Sequence, residues 1–516
     1  MPRFFNTAGP CKPDMHYMLP ATSRLPDLAS LIEQQSYFVL HAPRQTGKTT
    51  AMLELARQLT EAGRYAAVLV SMEVGAAFNQ DPGAAEQAIL GTWRDSAAYF
   101  LPQELQPPPW PQASPGERIS AALHAWAKAC PRPLILFLDE IDALEDMALI
   151  SVLRQLRAGY PKRPGVFPWS VALIGLRDVR DYKVAAGGSG RLHTASPFNI
   201  KVRSFALANF RAEEVAALYR QHTKETGQAI GQEACAHAFH LTQGQPWLVN
   251  ALAKVAVEEL VPDRTVPITV PIVDKAKEIL IDRQDTHLDS LAEKLTEPRV
   301  RRIIEPMLAG RSLGDLPADD RQYVVDLGLV RQPAGGGAVI ANPIYREMIP
   351  RVLAEGPQFS LPLIQPAWLA PDGSLAPAKL LDAFLAFWRR HGQPLLASAH
   401  YREVAPHLVL MAFLHRVVNG GGSLEREYAI GMGRMDLCLR YGDLTLAMEL
   451  KVWRDGEKDP LAEGLEQLDG YLAGLGLDTG WLVIFDQRTG LAPIAERTGA
   501  QEASSPAGRP VTVIRG

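Results

Sequence analysis

A strand-like segment that runs through a glycine-containing loop into a helix constrains this chain more than any other feature. The apolar segment YFVLH (37–41) is followed at once by APRQTGKT (42–49). The second segment fits the pattern G-x-x-x-x-G-K-[S/T] at every fixed position except the first, where Ala42 replaces glycine. Alanine costs little there if its φ is negative, because only a positive φ requires glycine. Backbone N–H groups of such a loop, together with the N-terminus of the following helix, bind a phosphate.

Each fixed residue of this loop has a definite chemical role. Gly47 lets the main chain approach the phosphate closely, Lys48 reaches the β- and γ-phosphates, and the Thr49 hydroxyl ligates Mg²⁺. The loop therefore predicts a site for ATP and Mg²⁺. The residues expected to bind the nucleotide are Ala42, Pro43, Arg44, Gln45, Thr46, Gly47, Lys48, Thr49 and Thr50.

A second apolar run, LILFLDE (134–140), ends in two acids. Ligands of parallel sheets bind where the strands end, so both acids are expected beside the phosphate loop. Asp139 is predicted to hold Mg²⁺ together with Thr49, and Glu140 to activate the attacking water. The alternative is a chance Gly-Lys-Thr near an acidic turn. It is disfavoured because two independent elements agree in order, spacing and context.

The next apolar run, SVALIGL (170–176), ends at Arg177, a candidate for sensing the γ-phosphate. The stretch 177–203 that follows is rich in Arg and Lys. It is expected to supply an arginine to a neighbouring subunit, to touch nucleic acid, or to form a solvated surface loop, and these alternatives stay open.

Continuous apolar runs that alternate with helix-like stretches decide the fold class of the first 205 residues. Such runs suit strands buried on both faces of a parallel sheet. The alternation predicts a doubly wound α/β domain. The runs are YFVLH (37–41), AVLVS (67–71), LILFL (134–138) and SVALI (170–174).

Changes in composition divide the rest of the chain. Helical patterns follow the first domain, and two short apolar runs around a glycine turn then precede a helix at 327–348. That arrangement predicts a winged-helix unit, with a helical bundle carrying a hairpin as the alternative. The predicted regions are a P-loop ATPase core (1–205), a helical lid (206–262), a winged-helix-like region (263–356), a proline-rich linker (357–376) and a C-terminal α/β domain (377–516).

The first half of the chain resembles the prokaryotic AAA-like P-loop ATPases. The resemblance covers about 1–260 and is carried by FFNTAGPC (4–11), HYMLP (16–20), YFVLHAPRQTGKTT (37–50), FLDEID (137–142), LIGLRDVRDY (173–182) and GQPWLVNALA (244–253). It implies that Tyr17 and Pro246 lie near the base, whereas ordinary packing is the alternative for Tyr17. It also implies assembly into homo-oligomers.

A second group of charged residues occurs in GRMDLCLRYGDLTLAMELKVW (433–453). In a strand, residues i and i+2 share a face, so Glu449 and Lys451 point the same way. A hairpin would bring Asp436 close to Glu449. Two carboxylates and a lysine fit phosphodiester hydrolysis, with the acids holding Mg²⁺ or Mn²⁺ and Lys451 orienting water or stabilising charge. A surface salt bridge is the alternative.

These residues resemble the D…E-x-K core of the PD-(D/E)XK nuclease superfamily, although Met435 stands where its proline is often found. The resemblance covers about 377–490 and implies a restriction-endonuclease-like fold. It also implies that Glu403 is a third metal-site acid and that Gln467 and Tyr471 flank the active site. A degenerate nuclease fold that only binds nucleic acid is the second alternative.

Composition places the chain among ordinary globular proteins. Hydrophobic residues make up 47% and the formal net charge is −4, which excludes a mainly disordered chain and confines any basic patch to a local surface. The four cysteines form no CxxC pair, and no apolar run reaches the ~18 residues of a membrane helix. A cytoplasmic protein with no membrane partner is therefore expected.

Together these features predict ATP binding and hydrolysis coupled to Mg²⁺-dependent cleavage of nucleic acid. DNA is the favoured substrate, and prokaryotic genome defence is the role that the resemblances suggest. The competing hypothesis is an ATP-switched, oligomerising sensor or scaffold whose C-terminal domain binds nucleic acid without cutting it. An ATP-driven DNA translocase with an accessory nuclease is a third option.

Overall fold

The chain forms two compact units. The computed structural model describes residues 3–25, 28–177, 200–308, 313–314, 316–333, 336–361, 366–398, 401, 404–418, 422–425 and 437–516. Unit 1 comprises Met1–His287 and Gln322–Ile344, and unit 2 comprises Leu288–Arg321 and Tyr345–Gly516. The region 263–356, predicted as winged-helix-like, is therefore shared between the two units.

A parallel sheet forms the centre of unit 1, as the continuous apolar runs predict. Within the described residues it has five strands in the order β2-β3-β4-β1-β5, and each neighbouring pair is parallel. The strands are β1 (Tyr37–His41), β2 (Ala66–Ser71), β3 (Leu134–Asp139), β4 (Ser170–Gly175) and β5 (Lys201–Ala206). The first four coincide with the predicted runs, whereas the edge strand β5 was not predicted.

Helices cover both faces of this sheet. On β3, Leu136 packs with Trp93 and Trp126 on one face, whereas Phe137 packs with Met52 on the other. Alternate side chains thus enter two separate cores, which explains why the strands read as continuously apolar. The helices are α1 (Leu28–Glu33), α2 (Lys48–Glu61), α3 (Pro82–Phe100), α4 (Arg118–Ala129) and α5 (Asp146–Gly159).

Helices replace strands after β5. The described residues of this part form α6 (Ala212–Thr226), α7 (Gln232–Thr242), α8 (Pro246–Lys254), α9 (Val270–Arg283), α10 (Thr286–Lys294), α11 (Pro298–Leu308) and α12 (Ala318–Asp326). A two-stranded antiparallel hairpin follows, and a long helix begins directly after it. Its elements are β6 (Val330–Arg331), β7 (Val339–Ile340) and α13 (Pro343–Ser360).

Unit 2 contains a mixed sheet. Its described strands follow the order β12-β13-β11-β10-β9-β8, and β10, β11 and β13 run parallel to one another. These strands are β8 (Gly422–Glu425), β9 (Leu437–Tyr441), β10 (Leu444–Trp453), β11 (Gly480–Asp486), β12 (Gly499–Ser504) and β13 (Pro510–Arg515). The last two strands were not predicted. The helices are α14 (Pro377–Ser398), α15 (Ala405–Val418), α16 (Leu461–Leu475) and α17 (Ile494–Arg497).

The C-terminal part is therefore an α/β structure, as expected, and its identity with a nuclease fold stays a prediction. None of the helices in the described part of the chain is both long enough and apolar enough to cross a bilayer.

Candidate functional site

The loop between β1 and α2 contains two residues in the left-handed backbone region. Gly47 caps α2 with a φ of 89°, and Gln45 also has a positive φ of 58°. A glycine adopts the first of these angles without strain. Ala42 does not have a positive φ. The alanine at the first position of the motif is therefore compatible with the loop, as the sequence pattern predicts.

Lys48 is folded back over this loop. Its ammonium donates hydrogen bonds to the carbonyl oxygens of Ala42 at 2.7 Å and Pro43 at 2.9 Å. Burial lowers the pKa of Lys48 to about 8, and the nearby carboxylates of Asp142 and Asp139 act in the opposite direction. A desolvated cation held in this way interacts strongly with an incoming anion.

Thr49 and Asp139 meet at the end of β3. The Thr49 hydroxyl donates to Asp139 Oδ2 at 2.7 Å, and the backbone N–H of Glu140 donates to Asp139 Oδ1 at 3.0 Å. Burial raises the pKa of Asp139, whereas these two hydrogen bonds lower it. A hydroxyl and a carboxylate are oxygen ligands of the kind that Mg²⁺ selects, so this pair fits the predicted ion.

Glu140 is held in a sparsely populated backbone conformation, with a φ of 58°. The Ser71 hydroxyl, at the end of β2, donates to its Oε2 at 2.8 Å. Burial raises the pKa of Glu140, and the negative charges of Glu73 and Asp139 add to the effect, whereas the bond from Ser71 lowers it. The two acids at the end of β3 therefore have different partners. Asp139 accepts a hydrogen bond from Thr49, and Glu140 accepts one from Ser71.

A cavity of about 490 Å³ adjoins these groups. Its wall combines the phosphate loop, the ends of β2 and β3, the segment before α1, and helices α6 and α8. Ala42, Pro43, Arg44 and Arg177 are not part of this wall. The predicted residues that line it are Tyr17, Gln45, Thr46, Gly47, Lys48, Thr49, Thr50, Asp139, Glu140 and Pro246.

Pro246 reaches the cavity because of the turn before α8. Gly244 has a φ of 71°, and a Cβ atom on it would lie 1.9 Å from the carbonyl oxygen of Phe210. Only glycine allows this close approach. Pro246 then starts α8, a position that suits its fixed φ and its missing N–H.

Arg24 is a site residue that the sequence pattern does not reveal. Its guanidinium donates to the carbonyl oxygens of Thr46 at 3.1 Å and Ala208 at 2.9 Å, and it lies over the Phe210 ring. Burial lowers its pKa to about 10. It thus ties the phosphate loop to the segment that follows β5. An arginine in a short segment before α1 carries no motif that would have identified it.

Arg177 contacts α12, and its role as a γ-phosphate sensor stays a prediction. It forms an ion pair of 2.8 Å with Asp326 on α12 and lies over the ring of Tyr323. Arg177 is 7% exposed and Asp326 5% exposed. Its observed contacts therefore link the end of β4 to α12.

In unit 2, Glu449 and Lys451 are buried together on β10. Their side chains form an ion pair of 2.6 Å, and they are 1% and 6% exposed. Lys451 also donates to Gln467 on α16, and Tyr471 lies in the core between α16 and the sheet. The observed pair is thus buried, which argues against the alternative of a surface salt bridge.

Two of the acids predicted for this site, Asp436 and Glu403, lie outside the described residues. Among the residues that are described, no group of three His, Cys, Asp or Glu side chains is arranged to hold a metal ion. The predicted metal set of Asp436, Glu449 and Glu403 therefore stays a prediction.

Comparison with known proteins gives structural likenesses only. No family model matches the chain, and no curated protein matches it. A Walker-type ATPase of Pyrococcus abyssi is 13% identical, with 66% of this chain and 98% of that chain covered and a TM-score of 0.46. The Holliday junction branch migration motor RuvB of Thermotoga maritima is 15% identical, with 63% and 92% covered and a TM-score of 0.35. Cdc6p of Pyrobaculum aerophilum is 14% identical, with 66% and 95% covered and a TM-score of 0.34. All three TM-scores lie below 0.5.

Proposed function

We propose that this chain binds ATP and hydrolyses it with Mg²⁺ in the cavity at the end of β1. The observation that supports this most directly is the 2.7 Å hydrogen bond between Thr49 Oγ1 and Asp139 Oδ2, on the wall that also carries the buried Lys48 ammonium. A hydroxyl, a carboxylate and a cation in this arrangement are what a triphosphate with its Mg²⁺ needs.

The residues of the site divide the work in this proposal. Backbone N–H groups of the loop and the Lys48 ammonium bind the phosphates, and Thr49 and Asp139 hold Mg²⁺. The ion, when bound, neutralises charge that develops on the phosphate oxygens. Glu140 accepts a proton from the attacking water. Its raised pKa brings it closer to the operating pH, where a general base is most effective.

Titration of a fluorescent ATP analogue tests the binding step. Lys48→Ala removes the ammonium, so affinity should fall by about tenfold or more. Lys128→Ala is the matched control, because Lys128 is exposed on α4 and away from the cavity. Equal affinities for the wild type and Lys48→Ala would exclude this site.

We propose a second activity in unit 2, Mg²⁺- or Mn²⁺-dependent hydrolysis of nucleic acid, with DNA as the favoured substrate. The buried pair of Glu449 and Lys451 supports it, because a buried ion pair seldom stabilises a fold more than apolar residues would. The proposal requires Asp436 to share a metal ion with Glu449. Observed pairing in the hairpin extends to Leu437 opposite Met448.

Cleavage assays on plasmid and single-stranded DNA test this second activity. The wild type should cut in Mg²⁺ or Mn²⁺, and Glu449→Gln and Lys451→Gln should not. Lys458→Gln, at an exposed lysine after β10, is the control. Circular dichroism spectra must show that the variants are folded, because each removes one charge of a buried ion pair. Uncut DNA with folded wild-type protein would exclude the activity.

The competing proposal is an ATP-switched scaffold that binds nucleic acid without cutting it. A pure binder should hold DNA equally well in EDTA, whereas the metal-dependent nuclease should need divalent ions for cutting. Assembly into homo-oligomers belongs to both proposals. Light scattering with and without ATP should show larger particles for the wild type and no change for Lys48→Ala.

A further inference from the structure

Two buried oxygen atoms on the cavity wall need hydrogen-bond partners. Tyr17 is 1% exposed and Asn250 is 7% exposed, and both line the cavity. Within the described part of the chain, neither Tyr17 Oη nor Asn250 Oδ1 has a hydrogen-bond partner. An unsatisfied buried polar atom is costly, so a ligand that pairs with it gains affinity.

Both residues lie at the end of the cavity that is formed by the N-terminal segment and the helices after β5. The ring of Phe5 lies 4.8 Å from that of Tyr17 and 5.6 Å from that of Tyr219. The Tyr219 hydroxyl in turn donates to the carbonyl oxygen of Val249, the residue before Asn250. The phosphate loop forms a different part of the wall, so a nucleotide whose phosphates lie on the loop leaves this end of the cavity for its base.

The amide of Asn250 has a fixed orientation. Its Nδ2 donates to the carbonyl oxygen of Pro246 at 2.8 Å, one helical turn earlier. A carbonyl oxygen can only accept, so the amide nitrogen must face Pro246 and Oδ1 must face away from it. Asn250 Oδ1 therefore offers the ligand an acceptor, and the amide nitrogen is directed to Pro246, whereas the Tyr17 hydroxyl can donate or accept.

We propose that Asn250 selects adenine over 6-oxopurines by accepting a hydrogen bond from the 6-amino group. This inference rests on the proposed ATP site. Guanine and hypoxanthine carry an oxygen at position 6, which would place two acceptors against each other and leave both unpaired. Tyr17 adds affinity without selecting, because its hydroxyl donates to the bare ring nitrogen of adenine and accepts from the ring N–H of a 6-oxopurine.

Competition binding with ATP and inosine triphosphate (ITP) tests this selection. The two bases differ only at position 6 and in the proton on the neighbouring ring nitrogen. The wild type should bind ATP about tenfold or more tighter than ITP, which is the cost of one unpaired buried acceptor. GTP should be rejected at least as strongly.

Three variants separate the two roles. Asn250→Leu removes the acceptor, so the ATP-to-ITP affinity ratio should approach one. Asn250→Ser is the milder change. Its ATP-to-ITP affinity ratio should be smaller than that of the wild type, because a hydroxyl can also donate a hydrogen bond to the oxygen at position 6. Tyr17→Phe should weaken ATP and ITP by the same factor and leave the ratio unchanged. Gln103→Leu, at an exposed amide side chain that does not line the cavity, is the control and should leave affinity and ratio unchanged.

The outcomes distinguish this inference from the proposed function. If the wild type binds neither nucleotide, the ATP site itself is wrong. If it binds ATP and ITP equally, or if Asn250→Leu and Asn250→Ser both keep the full preference for ATP, the site stands and Asn250 does not select the base.

Discussion

Burial acts against charge at each reacting group of the candidate site. It lowers the pKa of Lys48 and raises the pKa values of Asp139 and Glu140. The site without ligand therefore holds a partly buried cation, Lys48, and a buried acid, Asp139, beside the exposed Glu140, and the burial of the first two is electrostatically unfavourable. A Mg²⁺–triphosphate brings an anion to Lys48 and a cation to Asp139, so binding relieves both costs at once.

This balance predicts a pH dependence of ATP binding. Lys48 has a pKa of about 8 in the empty site, and phosphate charge should raise it. Above that pH the free protein loses the proton that the complex needs, so affinity should fall by up to about tenfold per pH unit. Titrations on both sides of pH 8 measure the fall, and isothermal calorimetry in two buffers measures proton uptake. Lys48→Arg does not titrate there, and its affinity should stay flat.

At the residue scale, the sequence predicts what one short motif contains and misses what remote segments add. The pairing of Thr49 with Asp139 is predicted from the start of a helix after the loop and from the end of a strand, and the two residues do form a hydrogen bond. Arg24 and Asn250 reach the same cavity from separate segments. Their contributions depend on tertiary placement, which no local pattern encodes.

At the scale of elements, a buried ion pair joins β4 to α12. Arg177 and Asp326 are both nearly inaccessible, so replacing one of them removes a charge–charge contact within a low-dielectric interior. Arg177 was predicted to sense the γ-phosphate. Its observed partner makes it a connection between the parallel sheet and the segment before the β6–β7 hairpin.

Asp326→Asn should lower the free energy of unfolding by about 3 kcal/mol, because Arg177 loses its counter-ion. Urea denaturation measures the change. Glu54→Gln is the matched control, since Arg57 in that pair is largely exposed, and it should cost less than about 1 kcal/mol. Equal costs for the two variants would contradict a structural role for the buried pair.

Gly244→Ala should disrupt the turn that places Pro246 in the cavity wall. The added Cβ meets the Phe210 carbonyl oxygen, and alanine disfavours the positive φ. We expect a loss of about 2 kcal/mol in unfolding free energy and weaker ATP binding. Gly91→Ala, in α3 where a Cβ would meet nothing within 4 Å, should be neutral or stabilising in the same denaturation assay.

Prediction of elements succeeds where strands are buried on both faces. β1 to β4 read as continuous apolar runs, and all four occur in the sheet. β5 (KVRSFA) mixes polar and apolar residues without a regular period and lies at the edge of the sheet, so its signal is weak. β12 (GAQEAS) is also a polar edge strand, whereas β13 (PVTVIR) lies inside its sheet and carries only a short apolar run interrupted by Thr512.

At the scale of the whole molecule, the two proposed phosphate chemistries belong to two separate units. If ATP turnover controls cutting, Lys48→Ala should abolish hydrolysis and also change the rate of DNA cleavage. Plasmid cleavage with and without ATP measures this coupling for the wild type, Lys48→Ala and Glu449→Gln. Cleavage that is untouched by Lys48→Ala would contradict coupling even if both sites are active.

The most direct test of the central claim is phosphate release from ATP by the wild type and by Glu140→Gln. Removal of the proton acceptor should slow release by about a hundredfold or more while ATP binding stays intact. Glu117→Gln, at an exposed glutamate before α4, should release phosphate at the wild-type rate. The claim would be contradicted if the wild type released no phosphate, or if Glu140→Gln released it as fast as the wild type.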